Sequence, residues 1–178
     1  MPDTFFLIAV DLQNDFIDGA LGTPEAQRIV PAARERILEA RAEGAVIVAT
    51  LDTHEQNYMD TREGKKLPVP HCIRGTRGWQ LNPSIAEALR DATLVEKGTF
   101  GSVRLPQILL ELNHGKEPER IELIGLCTDI CVVSNALLLK ASFPEAEVSV
   151  RSACCAGVTP EKHNAALETM GSCQIDIL

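Results

Sequence analysis

Phe5-Phe6-Leu7-Ile8-Ala9-Val10-Asp11-Leu12-Gln13-Asn14-Asp15-Phe16 sets the pattern that the rest of the chain repeats. A short apolar run that breaks off on a carboxylate reads as a buried strand with a polar residue at its carboxyl end. Outward from it the same device recurs. Runs of strand character fall at 5–10, 45–51, 93–96, 120–124, 147–150 and 174–178. Between them, helical spacing covers 25–43, 84–89, 105–113, 129–142 and 161–170. Asn82-Pro83 and Thr159-Pro160 each place a capping residue before a proline at the first helical position. Gly44 and Gly171 stand where glycines that end helices belong. Strands alternating with helices predict an α/β fold, a Rossmann-like, mostly parallel sheet in a three-layer α/β/α arrangement. Right-handed crossovers then bring every strand's carboxyl end to one edge, where such sheets bind ligands.

Length and charge narrow the function. A chain of 178 residues is about one domain, here 1–178. Seventeen basic against 25 acidic residues give a net charge of -8, which argues against nucleic acid as a partner. No apolar run reaches the ~18–20 residues of a membrane span. The opening run is too short for a signal sequence and lacks a basic flank, so a soluble, cytoplasmic chain with reduced thiols is expected. Six cysteines include no Cys-x-x-Cys pair, so a thioredoxin-like site and a structural zinc site both lack support. No glycine-rich nucleotide loop is present either. The long irregular stretch 52–80 carries two of the four histidines and the single Trp and Tyr, which marks it as functional rather than linking.

The residues just after the strands carry the chemistry. They are Asp11, the pair Asp52 and His54, Lys97, and Cys131 in Gly125-Leu126-Cys127-Thr128-Asp129-Ile130-Cys131. With Thr128 as the cap, Cys131 takes the third position of a helix, where free N–H groups and the positive helix end should depress a thiol's pKa. Asp11 is the natural base for that thiol and Lys97 the counter-charge. Asp15 reads as a turn or capping residue. Asp52 and His54 point the same way on an extended segment, and with His71 on the long loop they form a facial metal set, with Glu63 as a fourth donor. Cys72 is a weaker ligand candidate, while His114 and His163 read as surface residues near helix ends.

Asp11-Leu-Gln-Asn-Asp-Phe, Glu96-Lys97-Gly-Thr-Phe-Gly-Ser and Gly125-Leu-Cys-Thr-Asp-Ile-Cys131-Val together resemble the isochorismatase-like cysteine hydrolases. Within that superfamily, Asp52-x-His54, His71 and the run from Glu63 to Cys72 are most similar to the nicotinamidases. The resemblance implies a six-stranded parallel sheet with an Asp11–Lys97–Cys131 triad. It also implies an oxyanion hole from the N–H groups of Cys127 and Cys131, commonly shaped by a cis peptide before Cys127. The substrate implied is a small amide, nicotinamide, converted to nicotinate and ammonia through a Cys131 thioester. One divalent metal, Zn²⁺ ahead of Fe²⁺ or Mn²⁺, is implied at Asp52, His54, Glu63 and His71, where it positions the pyridine ring. A homo-oligomer and a role in NAD salvage are further implications. The sequence departs from the family at Pro68, where an aromatic residue is usual, leaving Phe16, Phe100, Trp79 and Tyr58 as candidates to contact the ring. Two other readings stand beside this one: an amidase for carbamoyl or ureido substrates, and a metal-binding or redox-sensing scaffold using Cys127 and Cys131.

Overall fold

The computed structural model describes residues 4–178. Six parallel strands form one sheet: β1 (Phe5–Val10), β2 (Val46–Asp52), β3 (Thr93–Lys97), β4 (Arg120–Leu126), β5 (Glu147–Ala156) and β6 (Asp176–Ile177), in the order β3-β2-β1-β4-β5-β6. Alternate residues of β1 serve opposite layers. Phe5, Leu7 and Ala9 pack with α2 (Pro24–Ala42) and α4 (Pro83–Ala88), while Phe6, Ile8 and Val10 pack with α5 (Leu105–Leu112), α6 (Val133–Ser142) and α7 (Pro160–Ser172). Both faces of the strand are therefore apolar, and the run is continuous rather than alternating. The strand order reverses at β1, which puts Asp11 at the switch point.

Local signals explain most boundaries. The hydroxyl of Thr23 accepts the Ala26 N–H and that of Thr159 accepts the Lys162 N–H, each followed by a proline in the first turn of the helix. Gly44 adopts φ +86° just past α2. Gly171 does not play the matching part: α7 continues through it to Ser172, and Gln174, at φ +63°, takes the left-handed turn instead. At Gly125 (φ +119°) a Cβ would overlap the Val10 carbonyl, so only glycine lets β1 and β4 approach at this edge.

Five elements differ from expectation. β5 runs on from Val150 to Ala156, because Arg151 stays in the strand by pairing with buried Glu122. β6 shrinks to two residues at the sheet's margin. The stretch 52–80 is not structureless: it holds a 3₁₀ turn (Tyr58–Asp60) and α3 (Arg62–Lys66), and a short α1 (Asn14–Ile17) follows β1. These turns are too short to leave a periodic trace in the sequence. Among the described residues no helix is long and apolar enough to cross a membrane.

Candidate active site

Asp11, Lys97 and Cys131 come together although they lie far apart in the chain. Asp11 sits at φ +47°, with its N–H donating to the Thr50 carbonyl and its Oδ1 accepting the Thr50 hydroxyl at 2.6 Å. Lys97 Nζ lies 2.7 Å from Asp11 Oδ2, 3.4 Å from Cys131 Sγ and 3.6 Å from Asp52 Oδ1. All are buried. Asp11 Oδ2 meets the Lys97 ammonium, which leaves its second lone pair open to a proton.

Electrostatics set the protonation states. Burial raises the Asp11 pKa, against the pull of Lys97. Burial works to lower Lys97, but Asp11, Cys131 and Asp52 outweigh it and hold the ammonium charged. The Cys131 thiol is pushed well above its usual value, first by burial and then by Asp11, with Lys97 opposing. This reverses the sequence expectation of a depressed thiol pKa. A helix end acts within about a turn and is worth at most ~2 kcal/mol, less than full burial beside a carboxylate.

The turn bearing Cys131 also differs from the expected cap. The Leu126–Cys127 peptide is cis, and a π-turn (Thr128–Val132) precedes α6. Cys127, not Thr128, precedes the first helical residue, so Cys131 is the fourth residue of the turn. The Thr128 hydroxyl instead meets His163 Nδ1 at 2.8 Å, so His163 is half-buried and bonded rather than a free surface residue. The Cys127 carbonyl accepts the N–H groups of Ile130 and Val132, which leaves the Cys127 and Cys131 amides outside those bonds. Asn135, which sequence reasoning misses, donates to the Cys131 and Phe100 carbonyls and accepts the Ser102 N–H. Its only trace in the sequence is one amide among the apolar residues of α6.

Asp52, His54 and His71 offer ligand atoms that all lie within 4.8 Å of one another. Asp52 Oδ2 is 3.0 Å from His54 Nε2 and 3.4 Å from His71 Nε2, and Glu63 Oε1 stands 3.5 and 3.7 Å from the same nitrogens. His71 Nδ1 donates to the Val69 carbonyl, so its Nε2 is the nitrogen left for a ligand. Two imidazoles and a carboxylate held this way suit a borderline divalent ion. Burial works against an ionised Asp52, but His54, His71 and Lys97 overcome it and hold the carboxylate well below the usual range. Burial raises Glu63. Cys72 is fully buried, and burial pushes its thiol far up, which disfavours it as a ligand. Tyr58 packs its ring 4.7 Å from that of His54 and 5.0 Å from that of His71.

The residues after Asp11 anchor this group. Gln13 donates to the Asp52 and Trp79 carbonyls and accepts the Asp52 N–H, Asn14 donates to the Arg77 carbonyl, and Asp15 accepts the N–H of Cys72, next to His71. Asp15 is thus both the expected turn residue, its Oδ1 accepting the Ala20 N–H, and a strut between loops through Oδ2. A cavity of about 290 Å³ opens over the cluster. Asp52, Glu63, His71, Cys127 and Cys131 line it together with the apolar side chains of Phe16 and Phe100. Trp79 does not line it: the indole N–H donates to the Thr53 hydroxyl, and the ring faces a separate surface depression.

Residues 5–178 match the family model described as "Isochorismatase domain". The pyrazinamidase of Pyrococcus horikoshii, solved in complex with zinc, is 32% identical, with 98% of each chain covered and a TM-score of 0.83. A nicotinamidase/pyrazinamidase of Bacillus subtilis superposes with a TM-score of 0.84 at 25% identity, again over 98% of each chain. The nicotinamidase/pyrazinamidase of Mycobacterium tuberculosis is 27% identical over 191 residues, 97% of each chain.

Proposed function

This chain belongs to the isochorismatase family, and from that membership we propose that it hydrolyses nicotinamide to nicotinate and ammonia. The observation that carries the reading is Lys97, which stands between Asp11 and Cys131 and also beside Asp52 of the adjoining histidine cluster. A cation there steadies negative charge on either member of the pair, and a carboxylate with a raised pKa is a competent base for a thiol with a raised pKa.

In this mechanism Asp11 Oδ2 takes the Cys131 proton as sulfur bonds to the amide carbon. The N–H groups of Cys127 and Cys131 hold the oxygen's developing charge. Asp11 returns the proton to the leaving nitrogen, ammonia departs, and Cys131 is left as a thioester. Asp11 then accepts a proton from the water that attacks the thioester, which frees nicotinate and restores the thiol. Asp52, His54 and His71, with Glu63 close by, would hold the divalent metal ion. Bound there, the ion supplies a Lewis-acidic point that fixes a pyridine nitrogen. Phe16 and Phe100 supply aromatic surface for the ring.

Ammonia release from nicotinamide by the metal-loaded protein is the test. Cys131→Ala is expected to reduce turnover to background with far-ultraviolet circular dichroism unchanged. Comparable turnover in wild type and variant would remove Cys131 as the nucleophile, and no turnover in the wild type would discard nicotinamide as the substrate.

A further inference from the structure

A second space lies beside the ring-sized chamber. This depression of about 520 Å³ shares Glu63, Leu67, Phe100 and Ile130 with it and adds Arg62, Lys65 and Lys66. The two spaces therefore adjoin, separated by the same four side chains. The shared wall is apolar and open: Leu67 is 37% and Phe100 47% exposed, and neither contributes to the core in that position. Beyond that wall the surface turns cationic.

Among the described residues these cations share their lack of a carboxylate partner with Arg104 and Lys162, but they are clustered on one turn. Arginines elsewhere, such as Arg28, Arg36, Arg74 and Arg151, are matched to carboxylates. Among the described residues Arg62, Lys65 and Lys66 pair with none, and all three are exposed. A net charge of -8 makes three unmatched cations at one cavity mouth a local inversion of the protein's field. The backbone that carries them is held in place. Thr61 accepts the Gly64 N–H, the Tyr58 hydroxyl donates to the Leu67 carbonyl, and a Cβ at Gly64 would overlap the Tyr58 carbonyl. One fixed turn of helix thus directs Glu63 inward to the histidines and Arg62, Lys65 and Lys66 outward.

We propose that this outer groove is a substrate subsite, and that the preferred substrate is an amide with an apolar body and an anionic group at its far end, a carboxylate or a phosphate. The proposal rests on the amide-hydrolase reading above. The scissile amide sits at Cys131, the body lies along Leu67, Phe100 and Ile130, and the anion meets Arg62, Lys65 and Lys66. A simple pyridine amide fills only the inner chamber and gains nothing from the three cations.

Calorimetric titration of the metal-loaded Cys131→Ala protein tests it with three probes: a pyridine carboxamide bearing a short carboxyalkyl chain, its phosphonate counterpart, and the methyl ester of the acid. At about 50 mM salt, where exposed charges are weakly screened, an anionic probe is expected to bind about tenfold tighter than the ester. The preferred anion distinguishes a carboxylate from a phosphate. The advantage should vanish in the combined Arg62→Gln, Lys65→Gln, Lys66→Gln protein while the ester binds as before. Equal affinity for acids and ester, or an advantage that survives the triple substitution, overturns the proposal. Nicotinamide turnover by wild type and by the triple variant with Cys131 intact, measured alongside, is expected to be equal. Its absence in the wild type would overturn the catalytic reading while the charge preference is still read by calorimetry.

Discussion

Asp11 at the carboxyl edge of the sheet and Glu122 in the middle of β4 are both fully buried carboxylates, and they behave in opposite ways. Glu122 is saturated: Oε1 accepts from Arg36 at 2.8 Å and Arg151 at 2.6 Å, and Oε2 accepts from Arg36 at 3.0 Å. Burial opposes its ionisation, but the two guanidinium groups win and its pKa falls. Asp11 has only one hydroxyl on Oδ1 and one ammonium on Oδ2, and its pKa rises because burial outweighs them. A satisfied buried charge locks structure. An under-satisfied one is ready to exchange a proton.

The contrast can be broken most sharply at Asp11. Asp11→Asn keeps the shape and removes the proposed base, so ammonia release should fall about 10²–10⁴-fold, read by steady-state kinetics. Glu122→Gln should do the reverse. It leaves Arg36, Arg120 and Arg151 short of their shared partner and costs about 3 kcal/mol of stability, read from urea midpoints, while turnover per folded molecule stays near wild type. A large activity loss in Glu122→Gln would merge the two roles. Thr50→Val strips the hydroxyl from Asp11 Oδ1 and is expected to change turnover by about tenfold, through a hydrogen bond to a charged group, with KM little altered. The mildest test is acid. Because the folded pKa of Glu122 lies below the ordinary 4.5, its contribution is present above that value and drains away as pH falls below it through the folded pKa. The acid-side slope of stability against pH should flatten in Glu122→Gln, and an unchanged slope would exclude Glu122 as its source.

Much of the site is legible in the sequence because its residues follow strands, and strand ends can be located from short apolar runs. Asp11, Asp52, Lys97 and the Cys131 turn all obey that rule. His71 and Glu63 are read from the donor chemistry of the long loop, and from its resemblance, rather than through periodicity. Asn135 and Gln13 escape sequence reading for a different reason: their work is to bond carbonyls and N–H groups distant in sequence, and a lone amide carries no local sign of such partners. Trp79 is a poor guide to the cavity because aromatic content marks a loop as functional without saying which way its ring faces.

The succession of strands and helices, the helix starts at Asn82 and Thr159, and the kinds of polar groups delivered to one edge are all encoded locally. They follow from periodicity and capping, which a few adjacent residues settle. Other features exist only in the folded chain: Lys97 stands within reach of Asp11, Asp52 and Cys131 at once, the Cys131 thiol is raised rather than depressed, and Glu122 has three arginine partners. Each of these depends on distance and burial between residues remote in the chain, where water has been removed and charges act at full strength.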